Sequence, residues 1–222
     1  MAVSINFEKK LWNKGFEGVI GLDEAGRGPL AGPVVACAVR VSPEFNWSKF
    51  KPIFSSMKDS KKLSAKQREE FYKILTRHSG IKWGIGKVSE RIIDRINILG
   101  ATKLGMERAI NNLKSKSRNS KIDFLVLDGN FKIASDVLQQ PVAGADGKIF
   151  SCMAAGIIAK VSRDKMMLKL HQRYPHYGFD RHKGYGTSYH YRMIKKYGPC
   201  EIHRKSFELT SGGGGVYNNT VI

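Results

Sequence analysis

Residues 18–39 read GVIGLDEAGRGPLAGPVVACAV. The two apolar runs, GVIGL (18–22) and PVVACAVRV (33–41), are bounded by glycine and proline and are expected as buried strands. Between them AGRGPLAGP is too broken by Gly and Pro for anything but a tight connection. At that junction the chain places two adjacent carboxylates, Asp23 and Glu24, and then Gly26-Arg27-Gly28. A third run, IDFLVLDGN (122–130), is β-branched and aromatic-rich and, like the first, ends in an acid, here Asp128, followed by glycine. Singly, such residues read as ordinary turn or capping groups. Together they bear on function, because ligands of open α/β sheets gather at the carboxyl ends of strands. If the two strands are neighbours, three carboxylates converge, and they stay together only with a cation between them. A set of oxygen donors without a nearby Cys or His pair suits a hard ion, Mg²⁺ or Mn²⁺.

The rest of the chain alternates strand and helix signals. SAKQREEFYKILTRHS (64–79) opens with Ser64 and Gln67 at capping-box spacing and carries an apolar stripe of Phe71, Ile74 and Leu75. IKWGIGKVS (81–89) alternates like a strand. From Asn97 to about Lys116, Leu99, Met106, Ile110 and Leu113 recur at helical intervals. Residues 151–174 predict a long helix whose small-residue start can approach a sheet closely, and 187–198 a shorter one. The expected class is α/β: a central mixed sheet flanked by helices, with a helical C-terminal portion from about residue 175. Residues 1–17 are expected as a loose or helical lead-in, 18–207 as the working domain and 208–222 as a flexible tail.

Charge narrows the partner. Lys and Arg number 38 against 19 Asp and Glu, a net charge of +19 that marks a polyanionic partner, nucleic acid ahead of an anionic membrane. A hard divalent ion in so basic a chain points to phosphate chemistry, most economically two-metal hydrolysis. The three cysteines, Cys37, Cys152 and Cys200, are widely spaced and form no Cys-x-x-Cys, which argues against a disulfide framework or thiolate zinc site. With no apolar signal core and no run near the roughly 20 residues needed to span a bilayer, a soluble cytoplasmic monomer is expected, with no membrane association.

The opening motif, followed in order by DSKKLS (59–64), NILGATKLGM (97–106), LDGN (127–130), AAGIIAKVSRD (154–164), YGFDRHKGYGT (177–187) and HRKSF (203–207), closely resembles the bacterial type 2 ribonucleases H, the ribonuclease HII family. The likeness spans roughly residues 18–207 and implies a ribonuclease H-like fold. It implies hydrolysis of the RNA strand of RNA–DNA hybrids, and nicking 5′ to single ribonucleotides embedded in duplex DNA, leaving 3′-OH and 5′-phosphate ends. Four metal-holding acids are implied: Asp23, Glu24, Asp128 and, by the family interval back from Asp164, Asp146. Asp164 itself and the more remote Asp136 are the rivals for the fourth place. Gly26-Arg27-Gly28 is implied to read the ribonucleotide 2′-OH through close backbone approach. Tyr185 is implied to stack on the sugar that follows. Lys61, Lys62, Lys183, His203, Arg204, Lys205 and Ser206 match polar motif positions expected to line the substrate groove and bind phosphates. One departure stands out: Gly156 occupies a position where the family commonly has serine, at a helix-propensity cost of about 1 kcal/mol. The related ribonuclease HIII family lacks the Gly-Arg-Gly signature and has an extra N-terminal domain, for which the 17 residues ahead of the first strand leave no room. A non-catalytic nucleic-acid-binding module on the same fold is the remaining alternative, against which all four acids argue.

Overall fold

The two runs of the opening motif form β1 (Val19–Ala25) and β2 (Val34–Val41) in the computed structural model, which describes residues 3–50, 63–116 and 121–210. They pair antiparallel, with Asp23 opposite Cys37. β3 (Ile81–Val88) continues antiparallel beyond β2, while β4 (Phe124–Asp128) runs parallel to β1 on its other side. β5 (Leu138–Val142) adds parallel to β4, completing a mixed sheet of order β3-β2-β1-β4-β5. The sequence pattern does not predict β5. Its LQQPV has no buried alternation because it is an edge strand, the place where a proline is tolerated in a sheet.

Side chains alternate across the sheet. Ile20, Leu22, Ala36, Ala38, Leu125 and Leu127 face α3 (Glu90–Lys116), packing on Met106, Ala109, Ile110 and Leu113. Cys37, Val39 and Val41 face the other way. They pack with Phe150, Met153 and Ile157 of α4 (Phe150–Arg173) and with Phe71 and Leu75 of α2 (Ala65–Arg77). Asp23, in register with Cys37, lies on this α4 side of the sheet. α2 starts at the expected capping box: Gln67 N–H donates to the Ser64 hydroxyl, and Ser64 N–H donates to the Gln67 side chain.

One expectation about local structure changes, and one left open is decided. Helix α3 begins at Glu90 rather than Asn97, and Asn97 (φ 58°) instead breaks it, its side-chain oxygen accepting from Gly100 N–H at 2.9 Å. That contact caps the second segment as a helix N-terminus requires. Of the two readings of the lead-in, loose or helical, the second holds: α1 (Asn6–Trp12) is built into the core. Leu11 packs with Val19, Val126 and Cys152, and the buried Glu8 carboxylate accepts from Ser151 N–H in the first turn of α4 at 2.7 Å.

The helical C-terminal portion holds α5 (Phe179–His182) and α6 (Ser188–Tyr197). Phe179, Ile194 and Ile202 form a small core with Met167 of α4 and with Leu30 and Ala31 of the β1–β2 connection. The Gly-rich connection is thus clamped between the sheet and this portion. Among the described residues no helix is long and apolar enough to cross a membrane.

Candidate active site

The parallel register that sets Leu22 beside Leu127 brings the ends of β1 and β4 together, and with them Asp23 and Asp128. Asp146 arrives from the turn Ala145–Gly147 just ahead of α4. That turn is held by Asp128 itself, whose Oδ1 accepts from Ala145 N–H at 2.8 Å. One carboxylate oxygen from each of Asp23, Asp128 and Asp146 lies within 4.8 Å of the others. Asp23 and Asp146 are buried. Asp146, the residue named by the family interval, is thus the acid that the fold sets beside Asp23 and Asp128. Asp164 is instead ion-paired with Lys160 one helical turn earlier at 2.8 Å, and Asp136 is exposed.

Burial and then the neighbouring Glu24 and Asp128 carboxylates hold the Asp23 carboxyl well above the usual carboxylate range. Burial likewise pushes Glu24 up to about 7, with Arg27, 3.3 Å from Glu24 Oε1, only partly opposing it. Glu24 Oε2 is buried without a hydrogen-bond partner among the described residues. Crowded, desolvated acids with an orphaned oxygen are the donor set a hard divalent cation satisfies, so the residues present fit such an ion.

Directly after the acids the chain turns through Gly26 at φ 98°. A Cβ here would overlap the Arg163 guanidinium and crowd the Pro33 carbonyl, so both the backbone angle and the space require glycine. Two buried arginines hold this turn. Arg163 of α4 donates to the carbonyls of Pro33 (2.9 Å), Lys183 (3.0 Å) and Ala31 (3.1 Å). Arg204 donates to those of Gly26 (2.6 Å), Arg27 (2.8 Å) and Gly32 (2.9 and 3.0 Å). Carbonyl dipoles, and no carboxylate, surround each guanidinium in these contacts. Gly156 is explained in the same way. A Cβ on it would overlap the Asp23 carboxylate, so its bare backbone leaves the room that Asp23 occupies against α4.

A cleft of about 430 Å³ joins these parts: Asp23, Glu24, Asp128 and Asp146 line it together with Gly26, Arg27, Gly28 and Tyr185. The Tyr185 ring is 44% exposed and faces Gly28, its Cε1 3.8 Å from where a Cβ on that glycine would stand. Other expected groove residues lie elsewhere. Arg204 is fully buried and shapes the Gly26–Gly28 turn from behind, each of its three guanidinium nitrogens donating to a backbone carbonyl. His203 is buried beside His190. Ser206 is exposed, but its hydroxyl and the backbone N–H groups of Lys205 and Ser206 are tied to the Asp94 carboxylate. Lys183 turns its ammonium onto the Asp180 carbonyl. Lys61 and Lys62 lie outside the described residues.

Sequence reasoning passed over Arg163, Lys160 and Arg68. The last two line the cleft, and the Lys160 ammonium is 5.7 Å from the centre of the Tyr185 ring. A signal was available: Gly156, Lys160, Arg163 and Met167 recur at helical spacing and share the α4 face turned toward the glycine-rich connection.

Comparison with known proteins adds the following. The sequence model of the Ribonuclease HII family matches residues 20–210. The chain is 46% identical over 201 residues to the ribonuclease HII of Chlamydia caviae, covering 90% of this chain and 89% of that one. It is 45% identical over 201 residues to the ribonuclease HII of Acetivibrio thermocellus, covering 90% and 73%. Among solved structures it resembles the ribonuclease H2 of Pyrococcus horikoshii, with a TM-score of 0.65 and 28% identity over 86% of this chain and 94% of that one. Bst-RNase HIII in complex with Mn²⁺, 19% identical with a TM-score of 0.60 over 81% and 62% of the two chains, shares the fold.

Proposed function

The chain belongs to the ribonuclease HII family and is a ribonuclease H, an endonuclease that cleaves the RNA strand of RNA–DNA hybrids; we propose that it also nicks duplex DNA 5′ to a single embedded ribonucleotide, using two divalent cations held by Asp23, Glu24, Asp128 and Asp146. The observation that carries this reading is the sharing of one cleft by the carboxylates and the Gly26–Gly28 turn. Cutting and recognition then act within a few residues of each other. Such ions, when bound, would lower the pKa of an attacking water and offset the charge that develops on the leaving oxygen. Mn²⁺ and Mg²⁺ both suit the oxygen donors, and a ribonuclease HIII of this fold has been solved with Mn²⁺.

The chain's own residues then divide the work. The backbone of Gly26–Gly28, clear of any Cβ, meets the 2′-OH, the one group that marks a ribonucleotide in a DNA strand. Arg27, partly exposed beside Glu24, meets a phosphate. Tyr185 lays its ring against the sugar of the following nucleotide, where a second 2′-OH would crowd it. The deciding experiment offers a duplex with one embedded ribonucleotide, with Mn²⁺, to the protein and to Asp23→Asn. The expected result is a single nick 5′ to the ribonucleotide by the wild type, and no turnover but retained binding by the variant. Cleavage of long hybrids alone, or wild-type cleavage by Asp23→Asn, overturns the reading.

A further inference from the structure

Behind Tyr185 the structure holds a pair of imidazoles that no step above uses. His190 and His203 are buried, and their Nε2 atoms lie 3.0 Å apart. Their outer nitrogens decide where the protons sit. His190 Nδ1 is 2.9 Å from the Tyr185 carbonyl oxygen, which can only accept, so Nδ1 carries a hydrogen. His203 Nδ1 is 2.9 Å from the Cys200 backbone N–H, which can only donate, and 3.2 Å from the Cys200 thiol, which burial keeps protonated and able to donate, so that nitrogen is bare. The Cys200 carbonyl is farther away, at 3.3 Å. With both rings neutral, His203 Nε2–H therefore donates to the bare Nε2 of His190. One directed chain of hydrogen bonds runs from the Cys200 N–H through both rings to the Tyr185 carbonyl. An added proton would either set two N–H groups head to head or remove the acceptor of Cys200. Burial opposes it as well, holding both rings down at about 4.

The residue after His203 is Arg204, whose guanidinium holds the Gly26 and Arg27 carbonyls. The same segment is bridged to the connection at Ala31, and Arg204 N–H donates to the Leu30 carbonyl at 2.8 Å. Consecutive residues thus reach the two walls of the slot between Gly28 and Tyr185. We propose that the His190–His203 pair is a positioning device that sets the Tyr185 ring opposite Gly28, and thereby the enzyme's choice of sugar at the nucleotide after the ribonucleotide. The proposal rests on the reading of Tyr185 as the ring that meets that sugar.

The test compares kcat/KM on a duplex with one ribonucleotide against a duplex in which the following nucleotide is also a ribonucleotide. His190→Asn and His203→Gln should each lower this ratio on the order of tenfold, through KM on the first duplex, as a misplaced contact does. Their Mn²⁺ affinity by calorimetry should stay at the wild-type value. Tyr185→Ala should lower the ratio as far, and adding His203→Gln to it should change little more. If Tyr185→Ala lowers the ratio while both histidine variants keep it, the positioning proposal fails and the reading of Tyr185 stands. If Tyr185→Ala keeps the ratio, the reading of Tyr185 fails and takes the proposal with it. Imidazole ¹⁵N shifts of the wild-type chain at neutral pH give a check that needs no variant. The expected result is a neutral Nδ1–H ring at His190 and a neutral Nε2–H ring at His203, and a charged ring or matching tautomers overturns the proposal.

Discussion

Glycines carry as much of this site as the acids do. Gly156 costs helix α4 about 1 kcal/mol in propensity. Its missing Cβ leaves the space that the Asp23 carboxylate fills. Gly156→Ala therefore sets a helix gain against a displaced ligand. We expect little change in melting temperature but Mn²⁺ affinity weaker by about tenfold, or about 1.4 kcal/mol, in a calorimetric titration. Unchanged affinity would mean that Asp23 rotates freely away from the helix. At Gly26 the positive φ and the Arg163 guanidinium act together, so Gly26→Ala should destabilise the fold by about 2 kcal/mol or more in denaturant unfolding. Asp146→Asn should lower Mn²⁺ affinity markedly, whereas Asp164→Asn should leave it near wild type, because Asp164 is spent on Lys160.

Among the elements, α4 organises the molecule. Its first turns lie behind the acid cluster, Lys160 and Arg163 reach the cleft and the connection, and Met167 enters the C-terminal core. Its N-terminus is held by a residue 143 positions earlier, Glu8, whose carboxylate accepts from Ser151 N–H. An acceptor on the first turn of a helix satisfies a donor that has no intrahelical partner. Glu8→Ala should cost about 1–2 kcal/mol in denaturant unfolding, while Glu8→Gln, which keeps an acceptor and removes a buried charge, should stay close to wild type. Equal losses in the two variants would make the charge, rather than the hydrogen bond, the stabilising feature. The break at Asn97 belongs to this scale too. The apolar spacing places a helix only from Asn97 onward, and the backbone reveals that an earlier segment from Glu90 meets it there.

For the whole molecule, pH and salt act through different groups. Folding raises the carboxyl pKa values of Asp23 and Glu24, the latter from 4.5 to about 7. Their contribution to stability is present below the unfolded value and is lost as pH rises through the folded one. The metal-free chain should therefore lose thermal stability from about pH 5 to about pH 8, and added Mn²⁺, by taking the place of those protons, should restore it increasingly toward high pH. His190 and His203 act in the opposite sense: their stabilisation is present above 6.5 and is lost as pH falls through about 4. Melting curves with chelator and with Mn²⁺ across this range separate the two effects. A metal-induced gain that does not grow with pH would contradict the raised carboxyl values. The net charge of +19 predicts that affinity for duplex substrate falls steeply and linearly on a log–log plot against salt.

The strands of the opening motif, the acids at their ends and the capping box at Ser64 are legible in the sequence alone, and the resemblance singles out Asp146, which the fold sets beside Asp23 and Asp128. All of these are written in local pattern: apolar period, turn residues and motif spacing. Tertiary structure alone places Arg204 and His203 behind the Gly26–Gly28 turn instead of in the groove, and sets Gly156 where it leaves room for Asp23. It also decided that an edge strand forms from LQQPV and that the first helix caps the fourth. The reason is physical. A charged side chain in a motif looks the same in sequence whether it meets solvent, substrate or backbone carbonyls. The β1–β2 connection that Arg163 and Arg204 hold lies more than a hundred residues from them in sequence, and the sheet's register and helix packing bring it to them.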